Sequence, residues 1–321
     1  MTRYIIKRLV LIPLTMLVIV LVLFALLYIL PTSRIRLMPI YAGGDLLDSV
    51  FIYYNAGTNL LTQYIRYCYN IIFHFNFGNS SVGYALSSTL TSYIRNTVVI
   101  TLSGIFITLT AGIPVGIYTA THNNSVGSRL ITTISLLLSA IPTFAMALMV
   151  ALVMVLYLGI LPMATLVTEP ISYIMPTLTI ALCGISSIVR MTHASMLEVL
   201  DQPYITALRA KGLNEVCVLY RHSLKNALVP VISELGRFCS YLLCGAFVVE
   251  HFFNIPGLGY FMLRSVGERN HTEILGCTAV MSFLIILLNT VIDIVYMAVN
   301  PRIKLRYLGR KKTQEIQRRD V

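Results

Sequence analysis

The sequence is short of charge, and shorter still of acid. Only 12% of its 321 residues are charged, with 13 Asp and Glu against 24 Lys and Arg. With 57% hydrophobic residues and a mean hydropathy of +0.79, a soluble fold would have nowhere to put its surface. Composition therefore excludes a soluble globular domain and points to an integral membrane protein. No Gly-x-x-x-x-Gly-Lys-Ser/Thr occurs, which excludes ATP binding by a P-loop. His-Glu-x-x-His and Gly-x-Ser-x-Gly are missing too, and with them two common hydrolytic sites. The six cysteines (Cys68, Cys183, Cys217, Cys239, Cys244 and Cys277) form no Cys-x-x-Cys and lie mostly in apolar runs. They read as small core residues, not as a disulfide or zinc framework. His251 and His271 are expected outside, as lone interfacial histidines. The expectation is no catalytic residue and no metal site.

What the chain does have is apolar runs. Six read as transmembrane helices, at about 9–30, 94–120, 130–158, 174–189, 229–249 and 274–299. The first follows Arg3, Lys7 and Arg8; it is too long for a signal-peptide core and lacks a small-residue cleavage site. Between it and the second lies a polar segment, 31–93, with a short helix expected over 60–73. Gly104, Gly112, Pro114 and Gly116 in the second span suggest close helix packing, since small residues let helices approach in lipid. Helix order puts the amino end, 122–129, 190–225 and the tail on one side, and these hold 17 of the 24 Lys and Arg. That bias predicts six spans with both ends inside. The tail, 301–321, holds eight of those cations and reads as a cytoplasmic flank near anionic lipid, not as a nucleic-acid site.

The most informative stretch is 201–230, DQPYITALRAKGLNEVCVLYRHSLKNALVP. It is basic yet sits between two apolar runs. Pro203 suits the first position of a helix, where its missing N–H costs nothing. A short helix over 206–211 leaving at Gly212, then a second segment over 214–228 stopping at Pro230, make a basic helix–Gly–helix. Such a surface is presented to something in the cytoplasm.

Charged and polar residues inside spans cost about 2.5–3.5 kcal/mol each at a helix centre, so they carry information. Asn289 and Asp293 share a face of the sixth span, and holding helices together is the expected role over contact with a solute. Glu234 and Arg237 share a face of the fifth. Measured from Val229, a rise of about 1.5 Å per residue puts Arg237 about 12 Å deep. Two readings stand for this pair: a structural ion pair, or a lining of the translocation path. Asn289 and Asp293 stand as path candidates beside it.

The 201–230 stretch resembles the cytoplasmic loop of ABC importer permeases, with Ala207 and Gly212 on that family's pattern. Thr206, Leu208 and the run His222-Ser223-Leu224-Lys225 depart from the general form in the manner of the dipeptide/oligopeptide/nickel branch. Further matches follow in order: Phe77-Gly78-Asn79-Ser80, Gly112-Ile113-Pro114-Val115-Gly116, Ile141-Pro142-Thr143-Phe144 and Met175-Pro176-Thr177-Leu178-Thr179. Beyond these stand the run from Arg190 to Glu198, then Glu250, Phe253, Pro256, Gly257 and Gly259, and finally Asn289, Asp293, Tyr296, Ala298, Pro301, Arg302 and Ile303. The resemblance covers nearly everything from 77 to 303.

It implies an all-α membrane protein of the type I ABC importer permease fold. On it, residues 1–30 are the amino end and first helix and 31–93 an external segment. Residues 94–300 are then a five-helix permease core with its docking loop at 196–228. The docking residues implied are Asp201, Tyr204, Ala207, Leu208, Arg209, Ala210, Lys211, Gly212 and Leu213. The implied function is a permease subunit of an ATP-driven importer in the bacterial inner membrane, for di- or oligopeptides, or alternatively for nickel or a metal chelate. It would work with a homologous second permease, two ATPase subunits that use the ATP and Mg, and an external solute-binding protein. A stand-alone secondary transporter or channel is the competing class. A membrane-embedded enzyme is a third, without a motif to support it.

Overall fold

The computed structural model describes residues 2–29, 60–79, 85–162, 169–268 and 270–299, and among these the chain is helical, with no β-strand. Its helices are α1 (Thr2–Ile29), α2 (Leu60–His74), α3 (Leu86–Thr121), α4 (Val126–Ala140), α5 (Thr143–Ala151), α6 (Ile174–Leu200), α7 (Pro203–Ala210), α8 (Leu224–Phe252), α9 (Leu258–Gly267) and α10 (His271–Val299). Three helical stretches, Leu86–Thr121, Pro170–Leu200 and His271–Val299, are each long and apolar enough to cross a membrane. Two bent pairs, Val126–Ala140 with Thr143–Tyr157 and Cys217–Tyr241 with Ala246–Phe252, qualify as broken spans. A shorter apolar stretch, Leu11–Leu26, lies within α1.

The third span is not one helix, as the apolar run over 130–158 suggests. It folds through 111° between α4 and α5. Pro142 is the cause: its ring drives the residue before it out of helical conformation, and Ile141 is extended at φ −80°, ψ 123°. The far end of α5 opens into a π-helical turn over Leu152–Tyr157.

Pro230 behaves in the opposite way and corrects an expectation. The second segment of the loop does not stop there: Pro230 lies inside α8, which runs on as the fifth span. A π-helical turn, Cys217–Ser223, precedes it. In that widened turn, where backbone bonds run to the fifth residue instead of the fourth, the buried Ser223 hydroxyl donates to the Val218 carbonyl at 2.9 Å. Proline inside a membrane helix is tolerated where neighbouring groups take up the freed backbone. The other spans are longer than the apolar runs alone suggest. The second begins at Leu86, the fourth continues to Leu200, and the sixth begins at His271.

The centre of the bundle is the contact between α3 and α6. Gly104 faces Ile180, Gly112 faces Ile188 and Gly116 faces Thr192, while Gly184 of α6 faces Thr108. The spacing of four on both helices puts these residues in ridges that interdigitate, and the two helices run in the same direction. A Cβ at Gly112 would lie 2.9 Å from the Ile188 Cγ2, and one at Gly116 would lie 3.0 Å from the Val189 carbonyl oxygen. Close packing is thus the role of the second-span glycines. Around this seam α5 and α8 complete one core through Ala147, Val150, Phe238 and Val249. The helix α1 sits against α2 and α10 through Val20, Phe24, Tyr67 and Leu275, and the Tyr64 hydroxyl donates to the Leu17 carbonyl at 2.8 Å.

Candidate functional site

The connection from α6 to α8 is built as a compact exposed unit. Gln202 is extended at ψ 140°, Pro203 opens α7, and Lys211 closes it. Gly212 then turns the chain at φ +80° with nothing within 4 Å of an added Cβ. Only the backbone conformation demands glycine there, because a side chain resists positive φ. Across that turn Arg209 grips Glu215 twice, with Nε to Oε2 at 3.1 Å and Nη2 to Oε1 at 2.6 Å. The bond from Arg209 holds the Glu215 carboxyl below its ordinary range. The pair is therefore intact at and above neutral pH and is lost only as acid titrates Glu215 through that lowered value. Asn226 of α8 donates to the Tyr204 hydroxyl at 2.8 Å, tying α7 to the root of the fifth span. Ile205 is the buried anchor of α7.

Asp201, Tyr204, Ala207, Arg209, Ala210, Lys211, Gly212 and Leu213 are all exposed, and Leu208 is half-buried. Val216 and Tyr220 extend the same surface with apolar area, at 61% and 56% exposure. Sequence reasoning missed these two and Glu215. Their signal is the spacing of six from Arg209 to Glu215, which means a contact only once the Gly212 turn is known.

A cavity of about 350 Å³ lies among α4, α6 and α8, at the break in the third span. Glu234 and Arg237 line it together with Ser139, Ser186, Ser187 and Cys183. The two charges are bonded to one another, Arg237 Nη2 to a Glu234 oxygen, with the Glu234 side chain 16% exposed and that of Arg237 72%. Because α8 runs from Leu224 to Phe252, Arg237 stands about 20 Å from either end at about 1.5 Å per residue. It lies at the middle of the helix. An i,i+3 pair contributes only about 0.3–0.5 kcal/mol on an exposed helix face. Each charge at a membrane centre costs about 2.5–3.5 kcal/mol. Both charges stand on one helix, so their mutual bond joins no two spans. Stability alone does not account for the pair.

Asn289 does something else. Its amide donates to the Ser240 hydroxyl at 2.8 Å, which fastens α10 to α8. Asp293, one turn on and half-buried, is likewise outside the cavity lining. The structure thus brings Glu234 and Arg237 to one cavity and separates Asn289 and Asp293 from it.

The other end of α8 holds a buried carboxylate. Glu250 is fully buried and accepts from the Thr97 hydroxyl at 2.6 Å, the Gly259 N–H at 2.7 Å and the Tyr260 N–H at 3.1 Å. It caps the first turn of α9, where backbone N–H groups have no helical partner. The Thr97 oxygen in turn accepts from Leu258 N–H at 2.8 Å. Asn96 donates to the Pro256 carbonyl at 2.8 Å. A Cβ on Gly257 would overlap the Glu250 carboxylate itself. The Glu250, Pro256, Gly257 and Gly259 pattern is therefore one closed hydrogen-bonded corner. His251 lies beside Tyr260 there, with ring centroids 5.9 Å apart, and His271 is buried at the start of α10. Among the described residues, no three His, Cys, Asp or Glu side chains gather as metal ligands. The five described cysteines are free thiols.

A helical bundle of membrane-length spans, with one span broken beside a charged cavity and an exposed basic helical loop, defines a multi-pass membrane transport protein. Residues 112–305 match the family described as binding-protein-dependent transport system inner membrane component. The chain belongs to that family. The dipeptide transport system permease protein DppB of Bacillus subtilis (strain 168) is 32% identical over 96% of this chain and all of its own length. The glutathione transport system permease protein GsiC of Escherichia coli (strain K12) is 32% identical over 95% of this chain and all of its own length. An inward-facing structure of the MetNI methionine ABC transporter superposes with a TM-score of 0.55 at 18% identity, covering 66% of this chain and 97% of that one. That likeness shows the type I permease fold.

Proposed function

We propose that this chain is a membrane-spanning subunit of an ATP-driven peptide importer, with the 201–213 loop as the docking element for an ATPase subunit. The observation that carries this reading is the placement of the loop. It lies in the connection between α6 and α8, the two helices that supply most of the cavity lining, with the Cys217–Ser223 turn between it and α8. A push on α7 is passed to both helices at once, through the Tyr204–Asn226 bond and the Ile205 anchor. Closure of the ATPases would move the loop, and the helices would reorient around the cavity, exposing it alternately to either side. The chain binds neither ATP nor Mg on this reading; separate ATPase subunits use both. A homologous second permease, two ATPase subunits, an external solute-binding protein and membrane lipid are its partners. It sits in the bacterial inner membrane with both termini cytoplasmic. The two relatives named for dipeptide and glutathione transport, both peptides, favour peptides over the nickel or metal-chelate alternative.

The test is uptake of a labelled dipeptide by cells carrying the complete importer. Gly212→Val should leave the protein inserted and cut ATP-driven uptake by about tenfold or more, because a β-branched residue at φ +80° costs more than the ~1.4 kcal/mol that a factor of ten represents. Uptake at the wild-type rate in that variant would refute the docking role.

A further inference from the structure

The cavity at the break of the third span sets serines and two charges among Leu138, Ile141, Phe238 and Tyr241, in a membrane bundle that should be apolar. Ser139 comes from α4 just before the Pro142 break, Ser186 and Ser187 from α6, and the charges from α8, so three helices converge hydrophilic groups on one space. The Ser139 and Ser186 hydroxyls donate to their own helices, at 2.7 Å to the Leu136 carbonyl and 2.8 Å to the Cys183 carbonyl. That satisfies their protons and leaves their oxygens as acceptors. One acid and one base stand side by side, on the middle turn of α8. Thr143, the first residue of α5, is tied to Tyr241 of α8 by a hydroxyl pair at 2.8 Å, so the broken span and the charged helix are held at a fixed distance.

From this arrangement we infer that the cavity is a solute-contact site for zwitterions carrying a free ammonium and a free carboxylate. Glu234 takes the ammonium and Arg237 the carboxylate. An internal ion pair suits that task, because it opens to two new pairs of the same kind and leaves no charge bare in the membrane. The guanidinium fork matches a carboxylate with two parallel hydrogen bonds. Before the solute arrives the two side chains neutralise one another. After it leaves they close again, so the resting site carries no net charge to hold the solute or attract a counter-ion. This inference rests on the peptide-import reading and names where in this chain the peptide's ends are recognised.

Cys183 lines the same cavity and supplies a reporter in the natural sequence. In permeabilised membranes carrying the assembled importer, its modification by methyl methanethiosulfonate is followed by residue-resolved mass spectrometry. Dialanine, added to about ten times its half-protecting concentration, should slow labelling of Cys183 about tenfold. N-acetylalanine amide, of similar size and without charged ends, should not. Cys239, fully covered in α8 and outside the cavity, serves as the control. The double variant Glu234→Gln with Arg237→Gln, compared with its own labelling rate without peptide, should lose the dialanine protection. Equal protection by the neutral compound, or protection that survives in the double variant, would overturn the assignment. So would a Cys183 that the reagent never reaches, since the cavity would then be closed to solute. Uptake of labelled dialanine is measured in parallel. If the wild type imports none, the import reading fails; import without Cys183 protection refutes this site alone.

Discussion

Glu250 carries a corner of this molecule on one carboxylate. Three donors converge on it, two of them N–H groups of the first turn of α9, while the Thr97 oxygen takes a third N–H of that turn, from Leu258. Glu250→Ala would leave the Thr97 hydroxyl and two backbone N–H groups buried and unpaired. At about 1–3 kcal/mol for each unsatisfied group, a loss of at least 3 kcal/mol is expected. Glu250→Gln should recover only part of this, because its NH2 turns a donor towards donors. Melting temperatures in detergent should order as wild type, then Gln, then Ala; an Ala variant as stable as wild type would remove the capping role. The Glu250 and Gly257 pattern is visible in the sequence as a resemblance. Its job is not, since the Thr97 partner lies 153 residues away. Gly212 is the contrary case. A glycine after a short basic helix is legible as a turn from local chemistry, and the turn is there at φ +80°.

At the scale of helices, prolines inside apolar runs have different fates. Pro13, Pro114 and Pro230 stay within α1, α3 and α8, whereas Pro142 ends α4 and turns the chain through 111°. Local sequence does not separate these outcomes, because every proline removes one N–H and crowds the turn before it. Packing decides: α5 is received into the core against α6 and α8 through Ala147 and Val150, which fixes the fold-back. The seam of α3 and α6 was more legible, since glycines at a spacing of four mark close approach, though the partner helix was not. Adding a methyl to this seam tests it. Gly104→Ala places a Cβ against the Ile180 Cγ2 and should destabilise by about 1–3 kcal/mol through overpacking. The second-site change Ile180→Ala, which removes the obstructing methyl, should restore part of that loss. Thermal unfolding of the purified variants would show it, and a Gly104→Ala protein without any loss would mean the seam is loose.

For the whole molecule, the uneven distribution of Lys and Arg predicts the orientation. Reporter domains fused after Val321 and inserted within 122–129 should both read cytoplasmic, as the positive-inside bias requires; an external tail would overturn the topology. The sequence by itself determined that this chain lives in a membrane, how many apolar runs it has, and that a basic helix–glycine–helix interrupts them. Those properties are local: hydropathy, charge and turn chemistry act within a few residues of where they are written. Only the tertiary structure decided that the third span folds back, that Glu234 and Arg237 open on a cavity with serines from two other helices, and that Ser240 is the group through which Asn289 fastens α10 to α8. These depend on which faces meet across sequence separations such as the 49 residues between Ser240 and Asn289. An apolar helix surface that looks alike on every side specifies no partner until the small residues, prolines and buried hydrogen bonds of all the helices are satisfied together.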